Sequence, residues 1–136
     1  MWFLKYCVLS LIILGGCGCA SNTFNLTVDS GAKANGGQPL YVYVKDNDWN
    51  DFLGSDPSQV YSDFMNNEIQ NRLLIIPARK SQEFTINKSP KEGLTLFFIF
   101  KNIPISGKWK IYLTKDEQQD MTIDIDDNDL ISMTNK

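Results

Sequence analysis

The chain has 136 residues, with 13 cationic and 16 acidic side chains and no histidine. This length accommodates one domain with its own hydrophobic core. Without histidine the chain can form neither a Ser-His-Asp or Cys-His catalytic site nor a histidine-ligated zinc centre, and its acidic balance offers no basic patch for nucleic acid. We therefore expect a binding or structural protein, not an enzyme, with no cofactor and no metal.

Residues 1–16 have the features of a bacterial lipoprotein signal peptide. Lys5 supplies a cation, and the apolar run that follows is shorter than the roughly 20 residues a membrane-spanning helix needs. Leu14-Gly15-Gly16-Cys17 closes this run, and small residues directly before a cysteine are what a lipoprotein signal peptidase requires. We predict cleavage before Cys17 and acylation of Cys17, because several acyl chains form an anchor that does not readily leave the bilayer.

The residues around the predicted cleavage site indicate where the mature protein resides. Gly18 follows Cys17, whereas an Asp at this position retains lipoproteins of the enterobacterial type at the inner membrane, so we expect an outer-membrane protein that faces the periplasm. An ordinary secretory signal or an N-terminal anchor helix is the alternative. Residues 17–23 are small and polar and predict a lipidated, flexible tether. After cleavage only Cys17 and Cys19 remain of the three cysteines, so no disulfide is expected within the folded domain.

From residue 24 onward, short segments alternate apolar and polar residues with period two, which is typical of strands with one buried face. These segments are 24–29, 40–45, 72–76, 83–87, 108–113 and 121–126. Segment 94–100 is apolar on nearly both faces, so we expect it to lie centrally or beneath a covering element. Six or seven strands in succession predict an all-β domain over residues 24–136, with two sheets packed face to face.

A helical insertion is predicted at about residues 48–68. Apolar residues recur there with the spacing of two helical faces: Trp49, Phe52 and Leu53, then Val60, Tyr61 and Phe64. Asp48 and Ser58 are the expected N-caps, and Pro57 separates the two helices because proline disfavours helical backbone at the preceding residue.

Three large apolar residues are expected to belong to the core and not to a binding site. Trp109 falls on the inward face of its predicted strand. Phe97 and Ile99 belong to the segment that is apolar on nearly both faces, and we expect the helical insertion to bury them. Left uncovered, they would form an apolar patch of the kind that binds a protein partner.

The acidic segment 124–129 matches a calcium-binding EF-hand loop only in its first half. Asp129 stands where the loop needs glycine for its sharp turn, and Asn135 stands where it needs a bidentate glutamate. We interpret the segment as a solvated acidic edge, which would also protect an edge strand from pairing with other chains.

The segment from Ser30 to Pro39 is long for a connection between neighbouring strands, and long connections are often binding loops. A flexible linker is the alternative, because glycine and asparagine are frequent in it. The sequence by itself leaves both interpretations open.

The order of these features resembles the outer-membrane lipoproteins of type VI secretion systems, the TssJ family. Asn35-Gly36-Gly37-Gln38-Pro39 leads into the strand Leu40-Tyr41-Val42-Tyr43-Val44, like the family's turn before a V-x-V strand. The apolar strand 94–100 followed by Lys108-Trp109-Lys110 is similar to the family's closing pattern, with Lys110 where an arginine is usual. The chain is identified as a divergent member on this pattern.

The resemblance implies a transthyretin-like two-sheet β-sandwich with a short helical insertion. It also implies a partner, the periplasmic C-terminal domain of the large inner-membrane subunit TssM, which such a lipoprotein tethers to the outer membrane. In the family the loop between the first two strands contacts the partner, and this loop corresponds here to Lys33, Ala34, Asn35, Gly36, Gly37 and Gln38. The alternative function is a free-standing lipoprotein that binds a small ligand or inhibits an envelope enzyme.

Overall fold

The computed structural model describes residues 22–66, 72–102, 108–117 and 119–135. The predicted signal peptide, Cys17 and residues 17–21 of the predicted tether lie outside the described residues. The elements are β1 (Thr23–Ser30), a 3-10 turn (Ala34–Gly37), β2 (Leu40–Asn47), α1 (Trp49–Gly54), α2 (Pro57–Met65), β3 (Leu73–Ile76), β4 (Ser81–Asn87), β5 (Gly93–Ile99), β6 (Lys110–Leu113), β7 (Met121–Ile125) and β8 (Ile131–Asn135). In these ranges no helix is long and apolar enough to cross a membrane.

The strands form two four-stranded sheets, which we call sheet A and sheet B. Sheet A has the order β4-β1-β7-β8, and sheet B has the order β3-β2-β5-β6. β1 and β7 run parallel, with Leu26 opposite Met121, and the other neighbouring strands run antiparallel. The all-β, two-sheet fold with a short helical insertion is the one that the sequence predicts.

The core lies between the two sheets and is built by the alternating residues of each strand. In β1 every second side chain is buried, and Leu26 and Val28 are fully inaccessible to solvent. Sheet B supplies equally buried side chains, including Leu40 and Val42. Burial of each such side chain stabilises the fold by about 1.5–3 kcal/mol. The period-two pattern therefore determines which face of each strand points inward.

β5 is buried on both faces because it lies inside sheet B and beneath a helix. Leu96 and Phe98 enter the core between the sheets. Phe97 and Ile99 point to the other side, where they pack against Val60 of α2 and are 1% and 2% exposed. The prediction that the insertion buries these two residues is confirmed.

Two details of the secondary structure differ from the sequence prediction. β8 (Ile131–Asn135) pairs with β7, although it has no clear alternation and most of its residues are exposed. The N-cap of α2 is Asp56 and not Ser58, because Pro57 occupies the first helical turn and the Asp56 carboxylate accepts from the Ser58 N–H at 2.6 Å. Asp48 caps α1 as predicted.

Trp109 lies on the opposite face of sheet B from the one predicted. Its ring packs against Phe97 on the outer face, with 5.5 Å between the ring centroids. β6 begins at Lys110, so Trp109 precedes the regular strand and does not follow the alternation that sends Ile111 and Leu113 into the core.

Candidate functional site

The connection between β1 and β2, residues 31–39, carries the chain from sheet A to sheet B and is held by contacts with β7 and the core. We call it the β1–β2 loop. The Gly31 N–H donates to the Ile125 carbonyl at 2.8 Å, and the Ala34 side chain is fully buried in the core. These contacts favour an ordered loop over the flexible linker that the sequence left open.

Asn35 organises the inside of the β1–β2 loop. Its side-chain amide donates to the Pro39 carbonyl at 2.8 Å, which closes the loop on itself. Its side-chain oxygen accepts from the Lys101 backbone N–H at 2.6 Å, which attaches the loop to the end of β5. Asn35 is only 6% exposed, so its side chain shapes the loop and is largely hidden from a partner.

The turn between β7 and β8 holds the other side of the loop through two carboxylates. Asp127 accepts from the Lys33 N–H at 2.8 Å, and Asp129 accepts from the Asn35 N–H at 2.6 Å. Gly31 permits this approach, because a Cβ at that position would lie 2.6 Å from a carboxylate oxygen of Asp127. Asp127 and Asp129 are exposed, as expected for a solvated acidic edge, and in addition they hold the loop.

The same end of the sandwich contains three residues other than glycine with positive φ angles in the described ranges. They are Asn35, Arg79 and Asp129, with φ values of 52°, 62° and 62°. Left-handed backbone is tolerated by Asn and Asp but is unusual for Arg, and it persists only where the surroundings hold it. The hydrogen bonds described above hold Asn35 and Asp129 in this conformation. The turns at this end of the sandwich are therefore ordered.

The candidate loop residues differ in what they offer to a partner. Lys33, Gly36, Gly37 and Gln38 are exposed, whereas Ala34 and Asn35 are buried. Gly36 and Gly37 have positive φ angles of 64° and 76°, and a Cβ on Gly36 would meet no atom within 4 Å. Gly36 is therefore the tip of the loop.

The end of the sandwich that contains this loop, which we call the loop end, carries exposed charges. Exposed cations stand on three neighbouring segments of the loop end: Lys33, Arg79, Lys80 and Lys101. The Arg79 side chain donates to the Ala32 carbonyl at 3.5 Å, so one of them also touches the loop directly. The exposed carboxylates of Asp127 and Asp129 lie at the same end, so the loop end offers both cationic and acidic side chains to a partner.

A groove of about 310 Å³ lies between the loop and α2. Its lining is mainly aromatic and aliphatic: Asn35, Gln38, Pro39, Tyr41, Tyr61, Phe64, Met65, Ile99, Phe100 and Lys101. The Tyr61 hydroxyl accepts from the Phe100 N–H at 2.8 Å, and burial raises the pKa of this phenol above its ordinary value of 10.0. The groove has the chemistry to receive an apolar side chain beside the loop.

In the part of the chain that the structure describes, no group of three or more Cys, Asp or Glu residues is placed to hold a metal ion.

The sequence indicated the β1–β2 loop but not the residues that hold it. Asp127 and Asp129 contact the loop from far along the chain, and only the asparagine- and glycine-rich turn itself indicated that such support was needed.

No family model and no curated protein matches this sequence. Its fold, however, is similar to solved structures of type VI secretion lipoproteins. The T6SS lipoprotein TssJ1 from Pseudomonas aeruginosa superposes with a TM-score of 0.63 at 10% identity, covering 85% of this chain and 97% of that one. Lip from Serratia marcescens, a membrane-bound component of the type VI secretion system, gives 0.66 at 12% identity, covering 85% and 98%.

A chain of a type VI membrane complex gives a TM-score of 0.63 at 14% identity, covering 83% of this chain and 98% of that chain. These similarities extend over nearly the whole length of each solved chain. The protein therefore has the TssJ-like fold that the sequence resemblance predicted.

Proposed function

We propose that this protein is an outer-membrane lipoprotein of a type VI secretion membrane complex, acylated at Cys17 and facing the periplasm. The observation that supports the proposal most strongly is the similarity of the whole sandwich to three type VI secretion proteins. The lipobox Leu14-Gly15-Gly16-Cys17 supports it independently, because it requires no knowledge of the fold. The protein acts by binding and anchoring, without catalysis.

The proposed partner is the periplasmic domain of a TssM-like inner-membrane subunit, bound through the β1–β2 loop. The exposed members of the loop, Lys33, Gly36, Gly37 and Gln38, would make the contact, while Ala34 and Asn35 fix its shape. The exposed cations of the loop end would pair with acidic side chains of the partner, so association should weaken as salt is added.

The position of the loop suits a tether between two membranes. β1 begins at Thr23, next to the lipidated segment, and its eight residues end at Ser30, where the loop starts. An eight-residue strand is about 26 Å long. The loop therefore lies at the far end of the sandwich from the anchor, directed away from the outer membrane.

The test is an affinity purification of the tagged, acylated protein from detergent-solubilised envelopes, with the copurifying proteins identified by mass spectrometry. Gly36→Asn adds a side chain at the loop tip, and asparagine tolerates the positive φ at this position. Gly54→Asn is the matched control, because a Cβ on Gly54 also meets open space, at the end of α1. Cys17→Ala removes the site of acylation.

We expect the wild type and Gly54→Asn to recover a large inner-membrane secretion subunit, and Gly36→Asn to lose it. Cys17→Ala should leave the outer-membrane fraction. Recovery of the subunit by Gly36→Asn at the wild-type level would refute the role of the loop. If the acylated wild type recovers no envelope protein, the secretion function is wrong, and the free-standing ligand-binding lipoprotein becomes the better explanation.

A further inference from the structure

Helix α1 exposes two large apolar side chains on one face. Trp49 and Leu53 are 52% and 58% exposed. They are four residues apart, which places them next to each other on a helix surface. A tryptophan and a leucine that are exposed together require an explanation, because the helix could have carried polar residues at both positions.

Packing behind α1 holds the Trp49 ring in place. The Trp49 ring stacks on Phe52 at 5.1 Å and meets the edge of Tyr112 at 5.3 Å between centroids. The Lys110 ammonium donates to the carbonyls of Phe52 and Ser55, which fixes the C-terminal end of α1 against sheet B. The helix therefore presents one face of Trp49 to the surroundings from a fixed position.

This face lies at the end of the sandwich where the chain emerges from its tether. The Asn22 carbonyl accepts from the Lys88 N–H at 2.8 Å, directly after β4. Five residues after Lys88, β5 begins at Gly93, which pairs with Asn47 at the end of β2. Trp49 follows two residues later. The start of β1 and the start of α1 therefore lie at the same end, which we call the tether end.

The sequence limits how far the tether end can be from the membrane. Asn22 is five residues beyond Cys17, and five residues span at most about 18 Å when fully extended. With Cys17 acylated, as proposed above, the tether end stays within that distance of the lipid headgroups. An apolar face at this end therefore lies closer to the bilayer than the loop end does, since the strand β1 separates the two ends.

We propose that Trp49 and Leu53 dock this end of the domain onto the membrane surface, with Trp49 at the level of the headgroups. Tryptophan is enriched at membrane–water interfaces because its ring is apolar and its N–H is polar. Exposed carboxylates at Asp48 and Asp51 lie beside Trp49, so the face suits zwitterionic lipid and not anionic lipid. The docking rests on the proposed acylation and would fix the direction in which the β1–β2 loop points.

The test follows Trp49 fluorescence in the acylated protein reconstituted into phosphatidylcholine vesicles. The mature protein contains Trp49 and Trp109, so Trp109→Phe leaves Trp49 as the single tryptophan, which excitation at long wavelength selects over tyrosine. We expect its emission to shift to shorter wavelength on reconstitution and to lose intensity when the lipids carry bromine near the headgroups. If Trp109→Phe impairs folding, the emission of Trp49 is obtained by subtracting the spectrum of Trp49→Phe from the spectrum of the wild type.

Two further variants separate docking from general hydrophobicity. Leu53→Ser should reduce the shift and the quenching of Trp49. Leu130→Ser is the matched control, because Leu130 is 60% exposed but lies in the turn after β7, at the loop end. It should leave the Trp49 signal unchanged. Replacing part of the phosphatidylcholine with anionic lipid should weaken the quenching.

The outcomes distinguish this inference from the function it rests on. Mass spectrometry of the purified protein reports its acyl chains directly, and their absence would refute the proposed tether. If the protein is acylated and membrane-bound but Trp49 emission is neither shifted nor quenched, the docking is wrong while the lipoprotein function stands. Protection of Trp49 only after a protein partner is added would also overturn the docking and assign α1 to a protein interface.

Discussion

The Asp129 carboxylate accepts a hydrogen bond from the Asn35 backbone N–H at 2.6 Å and so joins two residues 94 positions apart. Asp129 belongs to the turn between β7 and β8, and Asn35 belongs to the connection between the two sheets. Their pairing explains how a loop rich in glycine and asparagine keeps one shape.

Replacing Asp129 with glycine should loosen the β1–β2 loop without disturbing the sandwich. Glycine keeps the positive φ of 62° but removes the carboxylate, so the Asn35 N–H loses its acceptor. We expect a loss of about 1 kcal/mol in stability and faster hydrogen exchange at the Asn35 amide. Asp129→Asn retains an acceptor oxygen and is the control. Unchanged exchange in the glycine variant would show that the carboxylate does not hold the loop.

Asn35→Ala should be more damaging, because it removes both side-chain hydrogen bonds and leaves a Cβ residue at a φ of 52°. We expect a loss of about 2–4 kcal/mol in the free energy of unfolding, measured by urea denaturation. Asn35→Gly removes the same bonds but suits the backbone, and should cost about 1 kcal/mol less than alanine. Equal losses in the two variants would exclude backbone strain as a contribution.

Gly93→Ala should act through Tyr112. A Cβ at position 93 would lie 2.1 Å from the Tyr112 hydroxyl oxygen and 2.4 Å from the ring, so the ring must leave its contacts with Trp49 and Phe52. We expect a loss of about 1–3 kcal/mol in thermal or urea unfolding. In the background of Tyr112→Ala the same change should cost much less. Full additivity of the two substitutions would contradict this explanation.

Tyr61→Phe should change stability in two ways. At neutral pH the Phe100 N–H loses its acceptor, and we expect a loss of about 1 kcal/mol. Above pH 10.0 the folded state of the wild type holds the Tyr61 proton more tightly than the unfolded state, because burial raises its pKa. Wild-type stability therefore falls as pH rises through this region, and the fall should be smaller in Tyr61→Phe.

The comparison uses urea unfolding of both proteins between neutral pH and pH 11. Burial also raises the pKa of Tyr43, so the wild type and the variant share that contribution and only their difference reports on Tyr61. Parallel pH profiles would show that the Tyr61 hydroxyl is not perturbed in the folded protein.

Much of the sandwich could be predicted from the sequence because burial on one face of a strand imposes a period of two. β1 and β7 carry this pattern clearly, and the doubly apolar β5 correctly indicated a strand covered on both faces. β8 was missed for the same reason, since an edge strand with most residues exposed has no burial to impose alternation. Trp109 was misplaced because alternation does not extend past the end of a strand.

The sequence by itself determined the lipobox, the strand faces and the position of a distinctive loop, since each depends on residues close together in the chain. Only the tertiary structure decided that Asn35 is buried, that Asp127 and Asp129 hold the loop, and that Trp49 shares an end with the tether. These relationships arise where strands distant in sequence pair and bring their ends together. Local propensities carry no information about such pairing, because alternation specifies which face is buried and not which strand lies alongside.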